Sequence, residues 1–459
     1  MIRTKGCPEG SPIKSLPLPM KYPRLLTLLV AVVVPSFCQA QGAGVPAVDI
    51  PQLMDSVALR LQQHYIFPEK AQRMGAYVQS QAKKNVYAAL ATDPKHVMKQ
   101  LQADLQAAHH DPHVFVEYNP ELAKNSRVSP QPNPEEMAQA KKYWKANNYL
   151  FRKVEVLPGN IGYFPFTGFI PDLVGAQPTI SAALQFVANT NALIIDLREN
   201  MGGSPEMVNL LESYFFKEKT HLNDLITRST NDTTVYYADP AKVPFTVSMP
   251  VYILTSHHTF SGAEDFAYAL QMAKRAVVVG ETTGGGAHPT RPVSVGQGFV
   301  VFIPFARSLN PVTHTDWEGT GVVPDVQVEA RQALDKAREL TLRAQRQKAS
   351  SEQEKRQVDY LLDELAAQHP TSAGPGSRLQ PYTGTYGPLT MYLSGNKLLC
   401  KNVEANNLVT ELRPIAPHRF VLDDNAHVEF VQDSTGKWNR IKLYVSDGNV
   451  FEERRKGMK

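Results

Sequence analysis

The sequence predicts an α/β protein with a helical region on the N-terminal side of its core and an antiparallel β region on the C-terminal side. Two nearly continuous apolar runs, ALIIDL (Ala192 to Leu197) and VYILT (Val251 to Thr255), each lead through a short turn into a helical stretch. Runs of that kind suit strands covered on both faces. Before them, apolar residues recur at three and four from Val48 to about Ala108, and after Leu379 short alternating strands and turns follow one another.

At 459 residues the chain exceeds one ordinary domain. A hydrophobic fraction of 42% and a charged fraction of 20% belong to a globular protein with ample core. The net charge of +4, from 48 basic and 44 acidic residues spread along the chain, gives no case for a nucleic-acid partner.

Residues 1–40 read as a secretory signal. Lys14, Lys21 and Arg24 precede the apolar run Leu25 to Val34, and small residues ending at Ala40 follow it. The run is short of the roughly twenty residues a membrane span needs, so no span is expected in the mature chain. Cys7 and Cys38 leave with the signal, and Cys400 remains alone. Neither a disulfide framework nor a cysteine metal cluster is then possible. The expected location is secreted or periplasmic, in a bacterial cell envelope.

Residues 41–118 form the expected helical domain. Ile50, Leu53, Met54, Val57 and Leu61 make one apolar stripe, and a further helix starts at the Asp93 cap with Pro94 behind it. It ends at His109, His110, Asp111, Pro112 and His113, followed by the alternating VFVEY. Residues 119–150 read as a linker and a helix, too short to hold an inserted peptide-binding module. The core spans 151–368, with strands at Asn160 to Phe169, 192–197, 251–255, Ala276 to Val279 and Gly298 to Phe305, and helices at Thr179 to Thr190 and from Pro205 to about Phe216. Its last helices, Arg331 to about Gln368, are rich in charged residues. HPTSAGPGS marks a linker at 369–378, and 379–459 is a small β domain.

Ser261 stands where a buried strand turns into a helix, a position from which a hydroxyl projects beside free backbone N–H groups. The same position suits a plain helix cap. Gly202 and Gly203 precede another helix start, at Ser204 and Pro205, where N–H groups can hold an oxyanion or where glycine only makes a tight turn. A serine hydroxyl needs a base within reach and a group that fixes the base's tautomer. The chain offers a histidine from the 109–113 cluster and Glu318 in the loop Thr313 to Val328. The other histidines read as turn contacts (His257, His258), helix-end cations (His109, His110) and rim residues (His288, His314). Glu264 and Asp265 read as helix-dipole carboxylates, and Lys274 and Arg275 as solvated. No histidine and carboxylate spacing of the zinc type appears, and neither a metal nor another cofactor is expected.

The segments NALIIDLRENMGGSPE, VYILTSHHTFSGAEDFAYALQMAKRAVVVGETTGGGAHP and WEGTGVVPDVQVE resemble the C-terminal processing, or tail-specific, serine peptidases. More closely they resemble the bacterial branch related to interphotoreceptor retinoid-binding protein, without a PDZ insert, and YIFPEKAQRM and DPHVFV agree with it. This resemblance implies a ClpP/crotonase-like core. It implies Ser261 as nucleophile and the amides of Gly202, Gly203 and Gly262 as oxyanion-hole positions. The family's general-base lysine is absent, because Thr283, Gly284, Gly285, Gly286 and Ala287 occupy that stretch. The likeness to tricorn-like members then implies His113 as base and Glu318 as the acid that orients it, directly or through a bridging hydroxyl. The expected function is that of an exported serine endopeptidase acting on peptides or unfolded protein segments. The alternative is a non-catalytic carrier of an apolar ligand or peptide on the same scaffold. The sequence leaves the oligomeric state open.

Overall fold

The computed structural model describes residues 47–125, 134–228, 230–368 and 379–457. The expected signal at 1–40 and the linker at 369–378 lie outside the described residues. Ala47–Lys459 form one compact unit, of mixed helix and sheet. Among the described residues no helix is long and apolar enough to cross a membrane.

A six-stranded sheet carries the core. Its order is Val326–Gln327, Ala276–Gly280, Val251–Thr255, Ala192–Asp196, Ile161–Pro165 and Glu155–Leu157, parallel except for the last pair. Ala192–Asp196 and Val251–Thr255 are buried at every position, as strands covered by helices on both faces must be. One face packs on helices Leu173–Phe186, Pro205–Glu212 and Gly262–Met272, and the other on Ala333–Lys348 and Glu352–Ala367. The first of these helices begins six residues before the expected Thr179 and holds Pro178 inside it. The proline imitates a helix start because its missing N–H is tolerated most easily in a first turn.

Three loops leave the C-terminal ends of neighbouring parallel strands: 197–204, 256–261 and 281–287. In sheets of this kind ligands bind at that edge.

The N-terminal helices Ile50–His64, Pro68–Lys83 and Pro94–Ala108 do not close on themselves. Their buried Leu53, Val57, Leu101 and Leu105 share a core with Val293, Val295, Phe299 and Val301. Strand Phe115–Tyr118 pairs antiparallel with Phe299–Pro304, which pairs with Thr290–Gly296, placing Phe115 opposite Phe302. This pairing anchors the chain two residues after His113. Strands Thr220–Thr227, Asp232–Ala238 and Ala306–Leu309, which periodicity did not single out, form a further sheet beside the core.

Residues 379–457 form sheets of four and five antiparallel strands around Tyr386, Phe420 and Phe430. They are tied to helix Glu352–Ala367 by Arg419 on Asp363 at 2.8 Å and His427 on Glu364 at 2.6 Å. Cys400 is a buried free thiol.

Candidate active site

Ser261 sits at the N-cap of helix Gly262–Met272 with φ +53° and ψ −122°. A non-glycine residue there is strained, and the surrounding structure must hold it. An ordinary cap has extended backbone, which Ser261 lacks, although it stands in a capping box with Glu264. The clamp is Glu264, fully buried, whose Oε2 accepts from the Ser261 amide at 2.8 Å and the Gly286 amide at 2.7 Å. Its Oε1 accepts from the Gly285 amide at 2.7 Å and from the Thr283 hydroxyl. Burial raises its pKa, opposed by these donors. Glu264 is therefore not the dipole-facing carboxylate expected from its place in the first turn. It locks the serine turn to the glycine triplet, and no periodicity could reveal a partner twenty residues on.

The loop 197–204 lies against that turn. A Cβ on Gly202 would stand 2.5 Å from the Gly262 nitrogen and 2.9 Å from Ser261 Cβ, and one on Gly203, at φ +140°, would collide with the Phe169 carbonyl. The Gly202 amide is spent on Asn200 Oδ1 at 2.8 Å. Those of Gly203 and Gly262 meet no protein acceptor among the described residues. Asn200, fully buried and unnoticed in the sequence, also gives its Nδ2 to Phe166 O at 3.1 Å and takes the Phe260 amide on its carbonyl at 3.1 Å. Arg198 holds Asp196 through both oxygens, at 2.9 and 2.6 Å, which steadies the loop's start.

His113 and Glu318 meet directly, with Nδ1 3.0 Å from Oε1. No bridging hydroxyl intervenes. The imidazole is buried and stacks on Phe260, the residue before Ser261, at 5.3 Å between centroids. A Cβ on Gly286 would come within 2.7 Å of His113 Nε2. The missing side chain of the triplet is thus the space the His113 and Phe260 rings fill.

Asp111 was not foreseen. Its Oδ1 takes the His113 amide at 2.8 Å and lies 3.3 Å from Nδ1, and its Oδ2 takes the Tyr65 hydroxyl at 2.7 Å. Burial works against charge on His113, but Asp111 and Glu318 outweigh it and push its pKa up to about 9. Burial likewise opposes charge on Asp111, yet its bonds from His113 and Tyr65 hold it at about 2. Asp111, His113 and Glu318 bring their ligand atoms within 4.8 Å of one another, a set that could also hold a metal ion.

His288 is buried rather than on the rim, with Nδ1 3.5 Å from Glu318 Oε2 and its ring 6.3 Å from that of His113. His257 is an exposed turn residue on Glu281 at 3.0 Å, His109 caps a helix end, and His314 is exposed. Lys274 is exposed, but Arg275 is not solvated: it donates to the carbonyls of Phe215, Val247 and Met249. A cavity of about 90 Å³ opens beside Ser261, walled by Gly203, Gly262, Gly286, Trp317, Tyr236 and Asp265 among others. Asp265 lies in the first helical turn, as expected of a helix-dipole carboxylate, and burial pushes its pKa up to about 7 against the Asn223 amide that bonds it.

Residues 160–328 match the profile of peptidase family S41, and residues 47–158 match the profile described as the N-terminal domain of peptidase S41 in eukaryotic IRBP. The chain is 32% identical over 176 residues to carboxyl-terminal-processing peptidase 2, chloroplastic, of Arabidopsis thaliana, covering 37% of this chain and 33% of that one. It is 30% identical over 138 residues to the chloroplastic C-terminal processing peptidase of Tetradesmus obliquus, covering 30% and 28%. The matched part spans about a third of the length of these curated relatives. The solved photosystem II D1 C-terminal processing protease is similar at 16% identity and a TM-score of 0.41, over 62% of this chain and 94% of that one.

Proposed function

We propose that this chain, which belongs to peptidase family S41, is an exported serine endopeptidase that cleaves peptides or unfolded protein segments. The observation that carries the reading is the direct His113 to Glu318 contact at 3.0 Å, with the His113 ring stacked on the residue before Ser261. In this reading the core is of the ClpP/crotonase type, the chain belongs to a bacterial branch, and residues 1–40 direct it to the periplasm or the outside.

The mechanism follows from the chemistry of each group. Ser261 Oγ attacks the scissile carbonyl while His113, neutral and oriented by Glu318 through Nδ1, takes its proton at Nε2. The tetrahedral oxyanion is received by the amides of Gly203 and Gly262, the two that have no protein acceptor. Gly202 is left out, because its amide serves Asn200. His113 then returns the proton to the leaving amine, and water hydrolyses the acyl-enzyme by the same route in reverse. Glu264 keeps the strained serine turn in place during both steps.

The test is Ser261→Ala with a fluorophosphonate probe. The wild type should hydrolyse unfolded casein and take up the probe, and the variant should do neither while melting at the same temperature. Undiminished hydrolysis by the variant would sink the assignment. A wild type that takes up no probe and is purified with stoichiometric apolar ligand would be a carrier instead.

A further inference from the structure

The cavity beside Ser261 begins where the reaction does, since Ser261, Gly203 and Gly262 all line it. A substrate whose carbonyl is held by the amides of those two glycines has the side chain of the same residue next to that space. The space is small. An apolar cavity of about 150 Å³ takes one benzene ring, so 90 Å³ holds about four non-hydrogen atoms.

Asp265 lines the same cavity and lies four residues beyond Ser261, about 6 Å along the helix axis. Among the described residues its carboxylate has one donor, Asn223 Nδ2, which stands 3.1 Å from each oxygen. A second acid, Glu212, is near enough for the charge of Asp265 to act on it. Glu212 is 2% exposed; its Oε1 has no partner, and its Oε2 has only Asn209 Nδ2 at 3.5 Å. Burial raises the pKa of both acids, and the charge of Asp265 raises that of Glu212 further. No cation pairs with either among the described residues. Buried acids without a counter-charge are costly, and such a pair beside a nucleophile's cavity marks a place where a ligand brings the charge.

We propose that Asp265 is a specificity-determining residue, and that the cavity receives the side chain of a lysine whose carbonyl Ser261 attacks. The inference rests on the reading of Ser261 as nucleophile. Lysine fits in length, volume and charge. Its four-carbon stem carries the ammonium about one helical turn down, to the level of Asp265. The atoms beyond its β-carbon match the volume available. Leu225 offers the stem an apolar wall, and the rings of Trp317 and Tyr236 offer the cation their faces. The ammonium's three donors meet the carboxylate that Asn223 alone leaves half satisfied. Arginine's wider planar fork overfills the space, and a glutamate side chain would meet like charge.

The experiment uses peptides of one sequence with lysine, norleucine, threonine or glutamate before the cleaved bond. Norleucine has nearly the shape of lysine without its charge. In the wild type kcat/KM for the lysine peptide should exceed that for the norleucine peptide by about a hundredfold. Asp265→Asn should bring that ratio close to unity. The ratio is the readout because a merely damaged fold lowers both rates alike. A wild type that cuts the norleucine, threonine or glutamate peptide as well as the lysine one overturns the proposal, as does an Asp265→Asn protein that keeps the ratio. If that variant does not fold, the wild-type ratio decides. The pocket is also read without turnover. Calorimetry with Ser261→Ala should show the lysine peptide bound at least about tenfold more tightly than the norleucine peptide, and equal Kd values overturn the proposal. A wild type that cuts none of the peptides refutes the peptidase reading, and the binding comparison then decides the pocket by itself.

Discussion

Nδ1 of His113 lies 3.0 Å from Oε1 of Glu318 across 205 residues of sequence, and Asp111 Oδ1 approaches the same nitrogen to 3.3 Å. One imidazole nitrogen therefore answers to two carboxylates, and its proton is held more tightly than an orienting acid alone would hold it.

The consequence is an alkaline optimum. Folding raises the His113 pKa from 6.5 to about 9, so the fold favours the charged ring. That contribution to stability is full below about pH 6.5 and is lost as pH rises through about 9. A base must be neutral, so kcat/KM should climb over the same interval. Glu318→Gln should move the limb down toward 6.5 while lowering the maximum. A pH profile of both proteins checks this, and a limb that stays put in the variant contradicts the electrostatic account.

Gly286→Ala should disable the site with little effect elsewhere. The added methyl would meet Phe260 Cε2 at 2.5 Å and His113 Nε2 at 2.7 Å, so the ring must move. Overpacking of this kind costs about 1–3 kcal/mol, and a displacement near 1 Å lowers kcat by roughly a hundredfold. Thermal melts alongside single-turnover kinetics separate the two effects. Full activity in this variant would mean that His113 is not the base.

Glu264→Gln should be more damaging to folding than its conservative shape suggests. The carboxylate accepts from Ser261, Thr283, Gly285 and Gly286, and an amide NH₂ would face donors on one side. Leaving such buried donors unmatched costs on the order of 3 kcal/mol. Denaturant midpoints should show that loss. A variant within about 0.5 kcal/mol of wild type, the range of a surface change, would show that the clamp is dispensable.

Tyr65→Phe removes the hydroxyl that Asp111 Oδ2 accepts at 2.7 Å. Freed of that bond, Asp111 should rotate and its hold on His113 slacken. A stability loss of about 1.5–3 kcal/mol is expected for a bond to a charged acceptor. The limb of the pH profile should shift by a fraction of a unit. Calorimetry and the same kinetic assay test both halves.

Local pattern carried a good deal of this protein. Apolar runs buried on both faces marked strands 192–196 and 251–255, and the Asp93 cap followed by Pro94 marked its helix, where the Asp93 side chain does accept the Lys95 amide. A serine between a buried strand and a helix pointed at Ser261, and the glycines before Ser204 pointed at the second loop of the site. These signals are short in range, since backbone geometry and burial on both faces are written within a few neighbouring residues.

What the sequence by itself determined was thus a set of elements and a set of candidate side chains. Their assembly was decided only by the tertiary structure. The sheet sets the ends of three parallel strands side by side, bringing Gly203, Ser261 and Gly286 to one cavity, and the pairing of Phe115 with Phe302 holds the chain beside His113, whose ring stacks on Phe260. Asp111, Asn200 and Glu264 each bond an amide two or three residues away, but their bonds to Tyr65, Phe166 and the glycine triplet join groups that packing alone makes neighbours. A hydrogen bond reaches about 3 Å, and no spacing within a chain records which distant residues will come within that reach.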